Sequence, residues 1–177
     1  MAHFEDLARK YKDHIQLPWK AMLSDEERVI MVVYDRSDDR RLPISVGEFE
    51  ITTTQTGHGW ISVDARNWIA DYLDQLEYRD EIFANPDELE GREGEIADWT
   101  LQKFLDLAGN NGPDDVVALW GLASWFGFLR VSVFLKQAAR TVKGRLVIFF
   151  PGEYYQGNYR FLEARDGWGY RAVPITI

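Results

Sequence analysis

Apolar residues fall in two rhythms along this chain. Short, mostly continuous apolar runs rich in β-branched side chains occur at Arg28-Val29-Ile30-Met31-Val32-Val33-Tyr34, Val116-Val117-Ala118-Leu119-Trp120 and Leu146-Val147-Ile148-Phe149-Phe150. Runs of this kind mark strands covered on both faces. Two further strands are expected at Trp60-Ile61-Ser62-Val63, after a Gly57-His58-Gly59 turn, and from Tyr170 to Ile175. Pro174 cannot donate to a ladder, so the last strand belongs at a sheet edge. The run Leu146 to Phe150 should stop at Pro151-Gly152.

Between these runs the period changes to that of a helix. Phe4, Leu7, Ala8, Tyr11 and Ile15 share one helical face, closed by Pro18. Asp64 is the expected N-cap of a helix carrying Trp68, Ile69, Tyr72, Leu73 and Leu76. Ile96, Trp99, Leu101, Phe104, Leu105 and Ala108 form another stripe, ended by Gly109-Asn110-Asn111-Gly112. Val131, Phe134, Leu135 and Ala138 form a fourth. The stretch 44–56 is ambiguous, because Phe49, Ile51 and Thr53 alternate as a strand would. A parallel crossover from the first strand to the second needs a helix there, and helix is the expectation. The alternation of strands and helices implies an α/β fold: a single domain over 1–177, with a mainly parallel central sheet of about five strands and helices on both faces. An acidic helical insertion at about 64–112 could pack as a partly separate lid.

Composition narrows the chemistry. With 46% hydrophobic residues and 14% aromatics, the chain can fill a real core. It has no cysteine, which excludes disulfides, thiolate zinc sites and thiol nucleophiles. The longest apolar run, Val29 to Tyr34, is far short of the roughly 20 residues that span a bilayer. The N-terminus lacks the apolar stretch of a signal peptide, so a cytoplasmic location is expected. Charge is unevenly placed. Asp64 to Asp98 holds twelve acids against Arg66, Arg79 and Arg92, which accounts for the whole net charge of −9. Such a surface is either a solvated helical face that aids solubility or one that attracts a basic partner. It repels phosphate backbones, and no basic stripe argues for nucleic-acid binding.

Standard motifs are missing. The chain contains no G-x-x-x-x-G-K-[ST] phosphate loop, no G-x-G-x-x-G turn and no G-x-S-x-G elbow. The loop Gly121 to Phe128 follows the third strand, where α/β folds bind ligands, but its Trp125, Phe126 and Phe128 suit core packing better. His3, His14 and His58 lack metal-ligand spacing and read as surface residues. One enzymatic constellation remains. Asp35, Asp64 and Glu153 each follow a strand, and in a parallel sheet those ends gather on one edge, where acids could hold Mg²⁺ for a phosphohydrolase or nuclease. Against it, Asp64 can cap a helix, Asp35 can start a turn or pair with Arg36, and Glu153 can pair with Arg160 or Arg165.

The densest feature follows the fourth strand. Glu153, Tyr154, Tyr155, Tyr159, Arg160, Arg165 and Trp168 sit among turn-forming residues, including Asp166-Gly167. Tyr, Trp and Arg are the side chains that most often anchor protein contacts, so these seven are the candidate partner-binding residues. The alternative of equal weight is a loop that folds its own aromatics back onto the sheet, with Arg160 or Arg165 paired to Asp166 or Glu163.

Several stretches resemble the BrxB family, small components of the BREX bacteriophage-defence systems. They are Arg28 to Asp35, Glu48-Phe49-Glu50-Ile51 with Gly57-His58, Ser124-Trp125-Phe126-Gly127-Phe128 with Arg130-Val131-Ser132, and Phe149-Phe150-Pro151-Gly152-Glu153-Tyr154 with Asn158-Tyr159-Arg160, Ala164 to Trp168 and Val173-Pro174-Ile175. The ordered set covers most of the chain, and the acidic segment matches least. The resemblance implies a role in phage defence, where host DNA is methylated and unmodified phage DNA fails to replicate. It further implies a non-catalytic adaptor or assembly subunit without a cofactor, with the alkaline-phosphatase-like component PglZ as the expected partner.

Overall fold

The computed structural model describes residues 2–162, 164 and 167–177. Its centre is a parallel sheet of β1 (Val29–Tyr34), β2 (Gly59–Asp64), β3 (Asp115–Trp120), β4 (Arg145–Tyr155) and β7 (Val173–Ile175), in the spatial order β2-β3-β4-β1-β7. β1 lies beside β4 from Val29 opposite Leu146 to Tyr34 opposite Pro151. β7, with Pro174, is an edge strand, as its proline requires.

Side chains alternate across the sheet and define two apolar layers. Val29, Met31 and Val33 of β1 face one layer, with Leu146, Ile148 and Phe150 of β4. That layer is closed by α3 (Trp68–Asp74), α5 (Glu93–Ala108) and α6 (Val131–Ala138). Ile30, Val32 and Tyr34 face the other layer, with Val147 and Phe149, under α1 (Ala2–Ile15) and α2 (Leu42–Gln55). All six residues of β1 are buried, which is why its sequence is a continuous apolar run.

Stretch 44–56 lies in a helix, as the crossover demands. Leu42, Val46, Phe49 and Thr53 of α2 point inward at helical spacing, while Ile51 is 58% exposed, so the strand-like alternation there is accidental.

Four expectations are corrected. Asp64 does not cap a helix. The residue before α3 is Asn67, and Asp64 instead accepts the backbone N–H of Arg66 at 3.0 Å in a tight turn. The acidic stretch is no separate lid: α4 (Arg79–Ala84) contributes a buried Ile82, and Trp68, Ile69, Tyr72, Ile96 and Phe104 belong to the same apolar layer as the sheet. β4 does not stop at Pro151-Gly152. Pro151 stands opposite Tyr34, the last residue of β1, so its missing N–H falls where parallel pairing ends. Beyond it the strand turns antiparallel against β5 (Asn158–Phe161), and only a glycine fits at 152, because a Cβ there would lie 2.1 Å from the Arg160 carbonyl oxygen.

His58, expected at the surface, is packed and is not a free surface group. Its ring stacks on Trp19 at 3.6 Å between centroids, and the Arg145 guanidinium sits 4.6 Å from the Trp19 ring centroid. This group lies under the loop after α1, at the end of the sheet opposite the hairpin. Arg145 donates to the carbonyls of Gly144 and Lys20, and burial lowers its pKa.

Candidate functional site

The antiparallel extension of β4 makes a two-stranded ribbon. Tyr155 stands opposite Asn158, and the intervening Gln156 and Gly157 have φ of 48° and 85°. Two consecutive positive φ values are what a two-residue hairpin turn needs to match the twist of its strands. β6 (Trp168–Gly169) adds a third short strand on β5.

The ribbon has two unlike faces. Its inner face carries Tyr154, Tyr159, Phe161 and Trp168, which pack onto Phe150 of the core. Tyr154 and Tyr159 lie 4.8 Å apart, and Tyr159 and Trp168 5.6 Å apart. Tyr159 is 0% exposed, and burial pushes its hydroxyl well above the usual phenol range. The outer face carries Glu153 opposite Arg160, which form an ion pair, and Tyr155 opposite Asn158. Tyr155 is 74% exposed, a large aromatic ring at the tip of a defined turn.

The seven candidate partner-binding residues therefore separate. Glu153, Tyr155 and Arg160 are brought together on the outer face. Tyr154 and Trp168 are half-buried on the inner face, and Tyr159 has no surface to offer a partner, so it supports the ribbon and is not a contact residue. Arg165, with the proposed turn residue Asp166, lies outside the described residues. Asn158 joins the outer face and was missed. The alternation of Asn158, Tyr159, Arg160 and Phe161 was the signal that would have found it.

The strand-end carboxylates do not form a trio. Asp35 opens the 3-10 turn Arg36–Arg41, where its Oδ1 accepts the backbone N–H of Ser37 at 2.8 Å and the Ser37 hydroxyl at 2.6 Å. Those two bonds, the hydroxyl's first, hold its pKa below the usual carboxylate value. Asp64 is held by the Arg66 guanidinium at 2.8 Å; burial works to raise its pKa, but the bonds from Arg66 leave it lowered. Glu153 is paired with Arg160. Asp35 and Glu153 line one cleft at the C-terminal edge of the sheet, and Asp64 does not line it. Among the described residues no group of three or more His, Asp or Glu side chains is placed to hold a metal ion.

The loop after β3 is mostly core, as its composition implied. Trp125 is fully buried and Phe128 packs on the same layer, whereas Phe126 is 43% exposed beside Phe161. No helix among the described residues is long and apolar enough to cross a membrane. No protein-family model matches the chain, and neither does any curated protein or solved structure.

Proposed function

We propose that this protein is a non-catalytic adaptor subunit of a BREX-type phage-defence complex, docking PglZ through the outer face of the β4–β5 hairpin. One observation carries the reading. A ribbon packed onto the core through Phe150, Tyr159 and Trp168 presents Tyr155 and the Glu153–Arg160 pair to solvent. An aromatic ring held on a preformed turn loses little freedom on binding, and tyrosine and arginine are the commonest anchors of protein interfaces. The resemblance to BrxB proteins rests in good part on this same segment, from Phe149 to Arg160. It supplies the defence role and the partner. The three strand-end acids, each engaged by a neighbour, add no support to a Mg²⁺-dependent hydrolase.

The test is a pull-down from cells carrying the whole system. Wild-type protein should bring down PglZ, and recovering it with no other component of the system refutes the reading. Tyr155→Ala and Arg160→Ala should each weaken the complex by more than about 1 kcal/mol, roughly fivefold, while the circular dichroism and melting temperature stay near wild type. Wild-type affinity in both variants moves the interface elsewhere.

A further inference from the structure

The cleft between β1 and β4 shares Glu153 with the proposed docking face, and it occupies the position where parallel α/β sheets bind small molecules. β1 passes to α2 on one face of the sheet, whereas β4 passes to the hairpin, whose Tyr159 and Phe161 belong to the opposite face. The two strands are neighbours, so their connections part on opposite sides and leave a crevice at the carboxyl ends. That crevice holds a cleft of about 860 Å³, lined by Asp35, Ser37, Arg40, Ala123, Glu153 and Leu162 among others. Its size suits a small metabolite.

The groups lining it can be sorted by what already engages them. Asp39 accepts the Tyr34 hydroxyl at 2.6 Å, Glu153 is paired with Arg160, and Arg36 is also engaged. Ser37 spends its hydrogen on Asp35 Oδ1. Leaving aside the second oxygens of Asp39 and Glu153, which no described bond engages, two functions are left open among the described residues. Asp35 Oδ2 is a free carboxylate oxygen on an exposed side chain, fixed in direction by the two bonds to its sister oxygen. Arg40 is an exposed guanidinium with neither an ion pair nor a hydrogen bond. At about 2 Å rise per residue the 3-10 turn sets their Cα atoms roughly 10 Å apart, and an anion held by Arg40 is repelled by the Asp35 carboxylate, so inorganic phosphate is served by Arg40 alone.

A carboxylate at a strand end accepts hydroxyl donors, and a guanidinium takes a phosphate in bidentate fashion. No glycine-rich loop is present to cradle a polyphosphate, so a single phosphate is what the lining can serve. We propose that this cleft binds a phosphorylated sugar of the size of a nucleoside monophosphate, with its hydroxyls on Asp35 and its phosphate on Arg40.

Titration calorimetry on the full chain at low ionic strength tests this with ribose phosphate, adenosine monophosphate, adenosine and inorganic phosphate. The two phosphorylated ribosides should bind at least about tenfold more tightly than either adenosine or inorganic phosphate, because each of the latter reaches only one pole. Arg40→Ala should abolish the preference for adenosine monophosphate over adenosine. It removes an exposed side chain with no described partner, so its fold should be intact. Asp35→Asn should weaken both phosphorylated ligands but not inorganic phosphate; should it fail to fold, a dideoxy analogue of adenosine monophosphate on the wild type takes its place and should bind about tenfold more weakly than the parent. Absence of binding by every probe at about 1 mM, or affinity unchanged in Arg40→Ala, overturns the proposal.

Discussion

Tyr11 and Thr53 show how a buried hydroxyl is accommodated in the layer between α1 and α2. Both are 0% exposed, and their oxygens lie 2.6 Å apart. Thr53 already donates its single hydrogen to the Phe49 carbonyl at 2.8 Å, so Tyr11 is the donor of the pair. Burial pushes the Tyr11 hydroxyl well above the usual phenol range, while the bond to Thr53 works weakly the other way. The two substitutions are therefore unequal. Tyr11→Phe removes a donor and leaves Thr53 bonded to Phe49, a loss of about 1 kcal/mol. Thr53→Val leaves a buried hydroxyl of Tyr11 without an acceptor and should cost more, about 1–3 kcal/mol. Urea unfolding of both single variants and of the double variant measures this. The double variant should cost less than the sum, since it removes donor and acceptor together. Additive losses would show that the two hydroxyls do not depend on each other.

At the scale of elements, α5 and α6 are tied at their N-terminal ends by one ion pair. Glu93, the first residue of α5, accepts from the Arg130 guanidinium at 2.7 Å and from the Arg130 backbone N–H at 3.0 Å, just before α6 begins. The guanidinium bonds first, against burial, and then the backbone bond hold the Glu93 pKa below its ordinary value. The folded state thus prefers ionised Glu93. Its contribution is fully present above the unfolded value near about pH 4.3 and disappears as pH falls through the lower folded value. Arg130 is well exposed, so solvent screening limits the pair to about 0.5–1 kcal/mol. Glu93→Gln should be less stable than wild type by that amount at neutral pH, with the gap closing below about pH 4. Denaturation curves for both proteins across that range read it directly, and a gap that persists in acid would assign the loss to packing. The helices themselves were legible because their apolar spacing is set by the core they bury. The ends were less so. Asp64 has the residue type of a cap, but the Arg66 guanidinium claims it, a contact no spacing rule contains. Pro151-Gly152 has the composition of a stop, yet it marks a change of partner from β1 to β5.

For the whole molecule, the outer face of the hairpin was half legible: residue type nominated seven side chains, and only the alternation of the ribbon separates Tyr155 from Tyr159. The cleft between β1 and β4 was not legible, since it depends on which face each connection takes. Charge, by contrast, was fully legible and makes a prediction for the molecule as a unit. Arg66, Arg79 and Arg92 are each engaged within the acidic segment, with Asp64, with Asp74 and with Glu95. Exposed acids such as Glu77, Glu90 and Asp98 therefore have no ion pair among the described residues and repel one another across a surface built on the same core as the sheet. Salt screens such repulsion, with a Debye length near 10 Å at about 0.1 M. The melting temperature should therefore rise by a few degrees between about 0.02 M and about 0.3 M sodium chloride. A variant carrying Glu77→Gln, Glu90→Gln and Asp98→Asn should melt higher at low salt and respond less to added salt. Calorimetric melts of the two proteins at both salt concentrations decide it. A wild-type melting temperature that falls with salt would mean that the ion pairs, Glu93–Arg130 among them, outweigh the repulsion of the acidic segment.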